Sequence, residues 1–418
     1  MNNFNKHSFV LTTNGYKNIQ FITPQDYLYT SNNTIDKVCN TNNFKISEIS
    51  KYSYLQNSID DLNYLISNES LVEVYDQSYK RYAKEVSLLS KNDWLFHPWV
   101  IKETSNVRSK VDLLKTQEFF HDSDYIYLFN NKLFDMSKAL QISLRALKQT
   151  LICEDKDFEH HLPEIIAYIK NEYNIDYDNT ENGFKIFKTF VKNTFVFKMK
   201  RHIDIDKKYV SFVISALKNC KLSVKQFESG GKSYLIEMSY HSEADKELIK
   251  QTQMFLKNVN VKFSVNINTN NKQTYIKIVN KPLYFFINET LNKDISSVVN
   301  SSDELQKYFI TSLYPDLRTQ IITSLNVALQ LKELFLYHKE ILAIKQHSQF
   351  YKVIKLKDDL ELLDTTLVVE QDGYYSKVVT KLPLESLYTP FKEVYVKDKK
   401  IIHLGFTENI IYNGCIIQ

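Results

Sequence analysis

Both ends of the chain alternate apolar and polar positions, whereas the middle carries apolar residues at helical spacing. A period of two marks half-buried strands, and spacings of three and four mark one face of a helix. Residues 8–30, SFVLTTNGYKNIQFITPQDYLYT, predict short strands. Asn14-Gly15 is a tight-turn signal between two β-rich runs, and Thr23-Pro24-Gln25-Asp26 is a second turn. Mixed β and turn signals continue through residues 31–105 to LLSKNDWLFHPWVI, where a polar turn at Lys91-Asn92-Asp93 precedes a strand. Residues 366–418 return to β character.

Between these ends the pattern changes. SKALQISLRALKQTLI places Leu140, Ile142, Leu144, Leu147 and Leu151 at helical spacing, and HLPEIIAYIKNEY and ENGFKIFKTFVKN predict two more helices. DKKYVSFVISALKNC predicts a helix with Asp206 near its start, where a carboxylate is favourable. KLSVKQF and KSYLIEMSYH predict strands around Ser229-Gly230-Gly231. SEADKELIKQTQMFLKNV predicts a helix with Ser242 as N-cap and Asp245 in a capping-box position. VKFSVNIN and KQTYIKIV form a hairpin through Thr269-Asn270-Asn271, and PLYFFINETL is a helix opened by Pro282. Residues 303–357 repeat much of this order: helix ELQKYFITSLY, strand TQIITS, helix LNVALQLKELFLYHK, and strands EILAIKQ and FYKVIKLK.

Composition narrows the function. The 418 residues predict two or three domains, and 43% hydrophobic residues suffice for a large core. Only 7 Gly and 7 Pro argue against a glycine-rich phosphate cradle and against long flexible linkers. The net charge of +4 permits a nucleic-acid surface without demanding one. Cys39, Cys153, Cys220 and Cys415 are far apart, which predicts neither a zinc site nor a disulfide framework, and a reducing compartment follows. The first residues show neither a charged n-region nor an apolar h-region, and no apolar run approaches a membrane span. The expectation is therefore an intracellular protein, cytoplasmic or nuclear. His160, His161 and Glu159 read as a solvated loop, and Asp204 and Asp206 as lead-in and capping residues.

Two separated stretches resemble the ends of inteins. HSFVLTTNGYKNIQFITPQDYLYTSN is similar to the first intein block, and FTENIIYNGCIIQ to the last. The resemblance implies a Hint (protein-splicing) fold, whose chemistry needs a first-position nucleophile, a Thr-x-x-His, a penultimate His and a terminal Asn. Here Met1 takes the first position, and Ser67 to Ser70 in LISNESLVEVY stand in for Thr-x-x-His. Asn413-Gly414 matches the last block, and Gln418 holds the penultimate-His position. Loss of splicing is expected.

The middle resembles a LAGLIDADG homing endonuclease over about residues 195–357. MKRHIDIDKKYVSFVISALKNCKLS is similar to the family's lead-in and first motif helix, and KYFITSLYPDLRTQIITSLNVALQLKELFLYHKEILAIKQ to its second copy. The resemblance implies two motif helices packed side by side, each delivering one acidic residue to a divalent metal such as Mg²⁺. Asp316 fits the second acidic position, preceded by Pro315; the first falls on Asn219 or Cys220, neither a carboxylate. It also implies sheets lying along the major groove of double-stranded DNA. The candidate basic residues are Lys221, Lys225, Lys232, Lys262, Lys272 and Lys277 in the first copy, and Lys345, Lys352, Lys355 and Lys357 in the second.

The expected fold is mixed α+β. A β-rich Hint fold is built from residues 1–105 and 366–418. A helical connector spans 106–194. A pseudo-twofold LAGLIDADG αββαββα domain spans 195–365, with copies at about 201–292 and 303–357. The expected function is binding of double-stranded DNA by a monomer, with splicing lost and the Mg²⁺-dependent nuclease weak or lost. The rival expectations are a domesticated, non-catalytic binding or structural protein that retains the fold, and a splicing-competent intein trimmed at its termini.

Overall fold

Strands from the two ends of the chain pair with one another. In the computed structural model they alternate across one antiparallel sheet. Asn2–Asn5 pairs with Phe391–Val396, which pairs with Ile35–Thr41. Ser8–Thr12 pairs with Leu404–Thr407, which meets Asn63–Ser67. Tyr52–Asn57 and Trp94–Pro98 flank Gly373–Leu384. The structure describes residues 2–5, 8–13, 15–29, 35–41, 52–59, 63–67, 71–75, 80–91, 93–99, 107–114, 119–130, 132–152, 161–174, 189–190, 194–227, 231–314, 319–347, 350–356, 367–369, 371, 373–384, 391–396, 404–407, 411–412 and 415–416. The mixture of helix and sheet agrees with the α+β expectation.

Among the described residues the α-helices are α1 Lys132–Leu140, α2 Leu144–Ile152, α3 Leu162–Tyr173, α4 Lys207–Asn219, α5 Lys246–Asn258, α6 Lys281–Phe286, α7 Ser296–Val299, α8 Asp303–Leu313 and α9 Leu325–Tyr337. The chain forms two compact units. One holds residues 1–109, 205–219 and 290–418; the other holds 110–204 and 220–289.

In the first unit the sheet contains a construction that occurs twice. Strand Gly15–Asn18 leads into a 3₁₀ turn, Ile19–Phe21, and then strand Tyr27–Tyr29. Strand Arg81–Glu85 leads into the 3₁₀ turn Val86–Leu88 and then Trp94–Pro98. In the first, the Asp26 carboxylate accepts hydrogen bonds from Thr23 N at 2.7 Å and Thr23 Oγ1 at 3.0 Å, and from Lys17 Nζ at 2.8 Å. In the second, Asp93 accepts from Ser90 N at 2.6 Å, Ser90 Oγ at 3.0 Å and Lys84 Nζ at 2.9 Å. The buried residues correspond as well: Ile19 with Val86, Ile22 with Leu89, Leu28 with Leu95. A short carboxylate that satisfies turn amides and pairs with a strand lysine fixes the corner between two strands.

Helix α9 packs against strand Gly15–Asn18 within this unit. Gly15 has φ +98°, and a Cβ there would stand 3.0 Å from Glu333 Oε2. Glu333 is buried and accepts a hydrogen bond from Tyr337 at 2.5 Å. Gly15→Ala therefore meets both a left-handed backbone and a carboxylate that has little room to move. The expected loss is about 2 kcal/mol of unfolding free energy, read by urea denaturation. An unchanged midpoint would contradict this packing.

In the second unit, α1, α2 and α3 bury Leu133, Met136, Leu147, Ile165 and Ile169 with Phe195 and Val196 of the adjoining ribbon. The helical run expected across residues 137–152 breaks in two. Gln141 adopts φ 57°, and Ser143 caps α2 by accepting from Ala146 N at 3.2 Å. The helix expected from Ser242 starts later, at Lys246, with Asp245 as N-cap. Ser242 Oγ instead bonds Thr274 Oγ1 at 2.8 Å, which ties the turn to the neighbouring strand.

Four antiparallel strands complete this unit, in the order Cys220–Gln226, Lys232–His241, Gln273–Val279, Phe263–Asn268. Helices α5 and α6 supply Leu248, Phe255, Leu256, Leu283 and Phe286 to the core that also buries Ile236, Met238, Ile276 and Ile278. The first copy thus reads helix, two strands, helix, two strands, helix, as expected. The second gives α8, strand Thr319–Ile322, α9, and strands Leu342–Gln346 and Tyr351–Lys355.

Candidate nucleic-acid interface

Strand register decides which side chains share a face, because successive residues point to opposite sides. Lys221 pairs with Glu237, which pairs with Lys277, which pairs with Ser264. Counting by two from this row, one face collects Ser223, Lys225, Ser233, Leu235, Ser239, His241, Gln273, Tyr275, Val279, Asn266 and Asn268, polar but for Leu235 and Val279. The opposite face carries Ile236, Met238, Ile276 and Ile278, all fully buried. The polar face is therefore the open one. Its charged side chains are the lysines and Glu237, and Lys277 Nζ lies 3.0 Å from Glu237 Oε2.

The ten candidate lysines divide by this geometry. Lys221, Lys225 and Lys277 share the open face and are exposed. Lys232 has the parity of Tyr234 and Ile236 and lies on the other face. Lys272 sits in the hairpin turn with φ 52°, 3.9 Å from Glu243. Lys262 directly precedes the edge strand and places Nζ 4.2 Å from the Phe197 ring centroid. In the second copy Lys345 and Lys352 stand opposite each other in register. Their face also holds Ala343 and Ile354, which belong to a cluster with Leu11, Tyr29, Trp99 and Tyr374. Lys355 is on the other face, 2.6 Å from Glu340. Lys357 lies outside the described residues.

Helices α4 and α8 pack against each other in the first unit. Ser211 Oγ and Tyr308 OH are 2.7 Å apart, and Lys207 Nζ lies 4.8 Å from the Tyr308 ring centroid. Small side chains, Ser211, Ser215 and Ala216, are buried along α4. Asn219 is the last residue of α4, and its Nδ2 is buried with no hydrogen-bond partner. Cys220 opens the following strand opposite Met238, and burial pushes its thiol up to about 12. A divalent cation of the Mg²⁺ class wants hard, preferably charged oxygen donors. A neutral amide and a thiol held protonated do not fit it. Asp316 and Pro315 lie outside the described residues, as do Met1, Ser70, Asn413, Gly414 and Gln418. Ser67 ends strand Asn63–Ser67 opposite Tyr52. His161 pairs with Glu164 at 3.3 Å at the start of α3, while Glu159 and His160 are outside the described residues. Asp206 caps α4, accepting from Lys208 N and Tyr209 N at 2.9 Å. Among the described residues, no three His, Cys, Asp or Glu side chains gather as metal ligands.

Reading the sequence for lysines alone missed the rest of the open face: Glu237, Ser239, His241, Tyr275 and the Asn pair on the edge strand. The signal was present in the alternation of KSYLIEMSYH and KQTYIKIV. Among the described residues, no helix is long and apolar enough to cross a membrane.

No family model and no curated protein matches this chain. Among solved structures it is similar to the homing endonuclease I-DmoI. A complex of that protein with DNA and manganese is 13% identical over 36% of this chain and 91% of the other, with a TM-score of 0.29. A complex with DNA and calcium is 17% identical over 37% and 85%, also at 0.29. A structure of mesophilic variants is 14% identical over 37% and 91%, again at 0.29.

Proposed function

We propose that this chain is an intein-derived, homing-endonuclease-like protein that binds double-stranded DNA as a monomer, without splicing and with little or no nuclease activity. The observation that carries the reading is the open face of strands 220–279. Three lysines, hydroxyls, amides and a tyrosine stand there at period two, while the centre of the reverse face, Ile236, Met238, Ile276 and Ile278, is buried. Ammonium groups give phosphate affinity, and the amides and hydroxyls supply donors and acceptors to base edges. The packing of α4 on α8 supports descent from a two-copy enzyme. The sheet interleaved from both chain ends, with the αβ material between, supports the intein part. Two helix-and-strand repeats in one chain support the monomer.

Catalysis is a separate matter. The first motif position offers no carboxylate, so the paired-metal clamp on the scissile phosphates lacks one side. The test is incubation of the purified protein with a mixed duplex library in Mg²⁺. Bound, uncut DNA is expected; accumulating double-strand breaks would overturn the loss of nuclease activity.

A further inference from the structure

The two repeats differ in how much sheet they offer. In the first, cross-strand partners on the open face fall in five rows, from Lys225–Ser233 at one end to His241–Gln273–Asn268 at the other. Rows stand two residues, or about 6.7 Å, apart, so the face runs for about 27 Å. In the second repeat, strand Thr319–Ile322 precedes α9 and pairs with Tyr351–Lys355, as Lys232–His241 precedes α5 and pairs with Gln273–Val279. Strand Leu342–Gln346 then takes the place of Phe263–Asn268. An equivalent of Cys220–Gln226, the strand of Lys221 and Lys225, has no room: residues 314–318 alone separate α8 from Thr319, fewer than the 7 residues of that strand.

On the side that corresponds to the open face, the second sheet has two rows. Ala343, Ile354 and Thr319 form one, and Lys345, Lys352 and Ile321 form the other. The opposite side carries Ile322, Ile344 and Val353, all buried. The first row is covered from within the same unit. Ala343 is 2% exposed, and Ala343 and Ile354 belong to the cluster of Leu11, Tyr29, Trp99 and Tyr374, which come from both ends of the chain. A single row remains. Its Ile321 is apolar and exposed, and its two lysines stand directly opposite each other, where like charges repel. The second repeat has thus lost the lysine-bearing outer strand and turned half of its remaining face into core.

We propose that the chain reads a single half-site: the sheet of residues 220–279 lies on the duplex over about 8 base pairs, and the second repeat seats the terminal strands and leaves the DNA alone. The length follows from a face of about 27 Å and about 3.4 Å of duplex per base pair. The inference rests on the DNA-binding reading given above and narrows it from a two-sided site to one side.

The test uses the full, unaltered chain and a duplex selected from the mixed library. Hydroxyl-radical protection is expected over about 8–10 base pairs, and affinity is expected to hold as the duplex is shortened to about 12. Protection over about 20 base pairs, or affinity that collapses below that length, would overturn the half-site and leave DNA binding standing. Two pairs of substitutions give a second readout. Lys221→Gln with Lys225→Gln is expected to lower the salt slope by about two, and Lys345→Gln with Lys352→Gln to leave it unchanged. An equal fall at both pairs would place the second repeat on the DNA and overturn the proposal. If the unaltered protein binds no duplex even at low salt, the DNA-binding reading itself fails, and the half-site falls with it.

Discussion

Replacing Lys221, Lys225 and Lys277 together by Gln is expected to weaken duplex binding by roughly 10- to 100-fold and to lower the salt slope by about three. The three stand on the open face of one sheet, with Lys221 and Lys277 flanking Glu237 in a single cross-strand row. Each ammonium that meets a phosphate releases close to one counterion, so the slope counts contacts independently of any loss of folding. The row carries its own control. Glu237 lies 3.0 Å from Lys277 and competes with phosphate for it. Glu237→Gln is expected to strengthen binding, by roughly two- to fivefold, since a part-exposed ion pair is worth no more than about 1 kcal/mol. The same substitution at Lys232, on the reverse face, is expected to leave the slope unchanged. Equal effects at Lys232 and Lys221 would dissolve the distinction between the faces. Anisotropy of a labelled duplex measures all of these.

The second large effect concerns the sheet of the first unit. Asp26→Ala and Asp93→Ala are each expected to cost about 2–3 kcal/mol, because each strips a part-buried lysine partner and two turn donors of one acceptor. The side chains of Asp26 and Asp93 are 10% and 7% exposed, so water does not replace what is lost. Near-equal costs in urea denaturation would confirm that the two turns do the same work; a cost near zero at either site would contradict it. Asp26 also has a pH signature. Burial raises its pKa, but hydrogen bonds from Lys17 and Thr23 outweigh that and hold it below the ordinary carboxylate value. Its contribution is thus fully present above the unfolded pKa and is lost as pH falls through the folded one. The gap between wild type and Asp26→Ala is expected to begin to narrow near about pH 4 and to shrink further as pH falls through the lower folded value.

The helices were legible wherever an apolar stripe ran long enough. Lys207–Asn219, Asp303–Leu313 and Leu325–Tyr337 follow from spacing alone. Their ends were less so: periodicity carries across Gln141, where only a left-handed residue and a serine cap mark the break. Both polar turns of the sheet were visible, but their kinship was not. Thr23 and Ser90, Ile19 and Val86, Pro24 and Lys91 differ in identity, and only the hydrogen bonds reveal one plan. Lysine positions were legible and lysine faces were not, because a face depends on register across strands far apart in sequence. The pairing of Asn2–Asn5 with Phe391–Val396 has no local signal at all, because it joins segments at opposite ends of the sequence.

The central claim is DNA binding without cleavage. The most direct measurement is equilibrium binding of the unaltered protein to a mixed duplex library between about 50 and 200 mM salt, in EDTA and in Mg²⁺, with the DNA recovered and sized. Salt-steep binding that is alike in both conditions and leaves the DNA intact is expected. Salt-independent or absent binding, or DNA recovered with new ends in Mg²⁺, would contradict it.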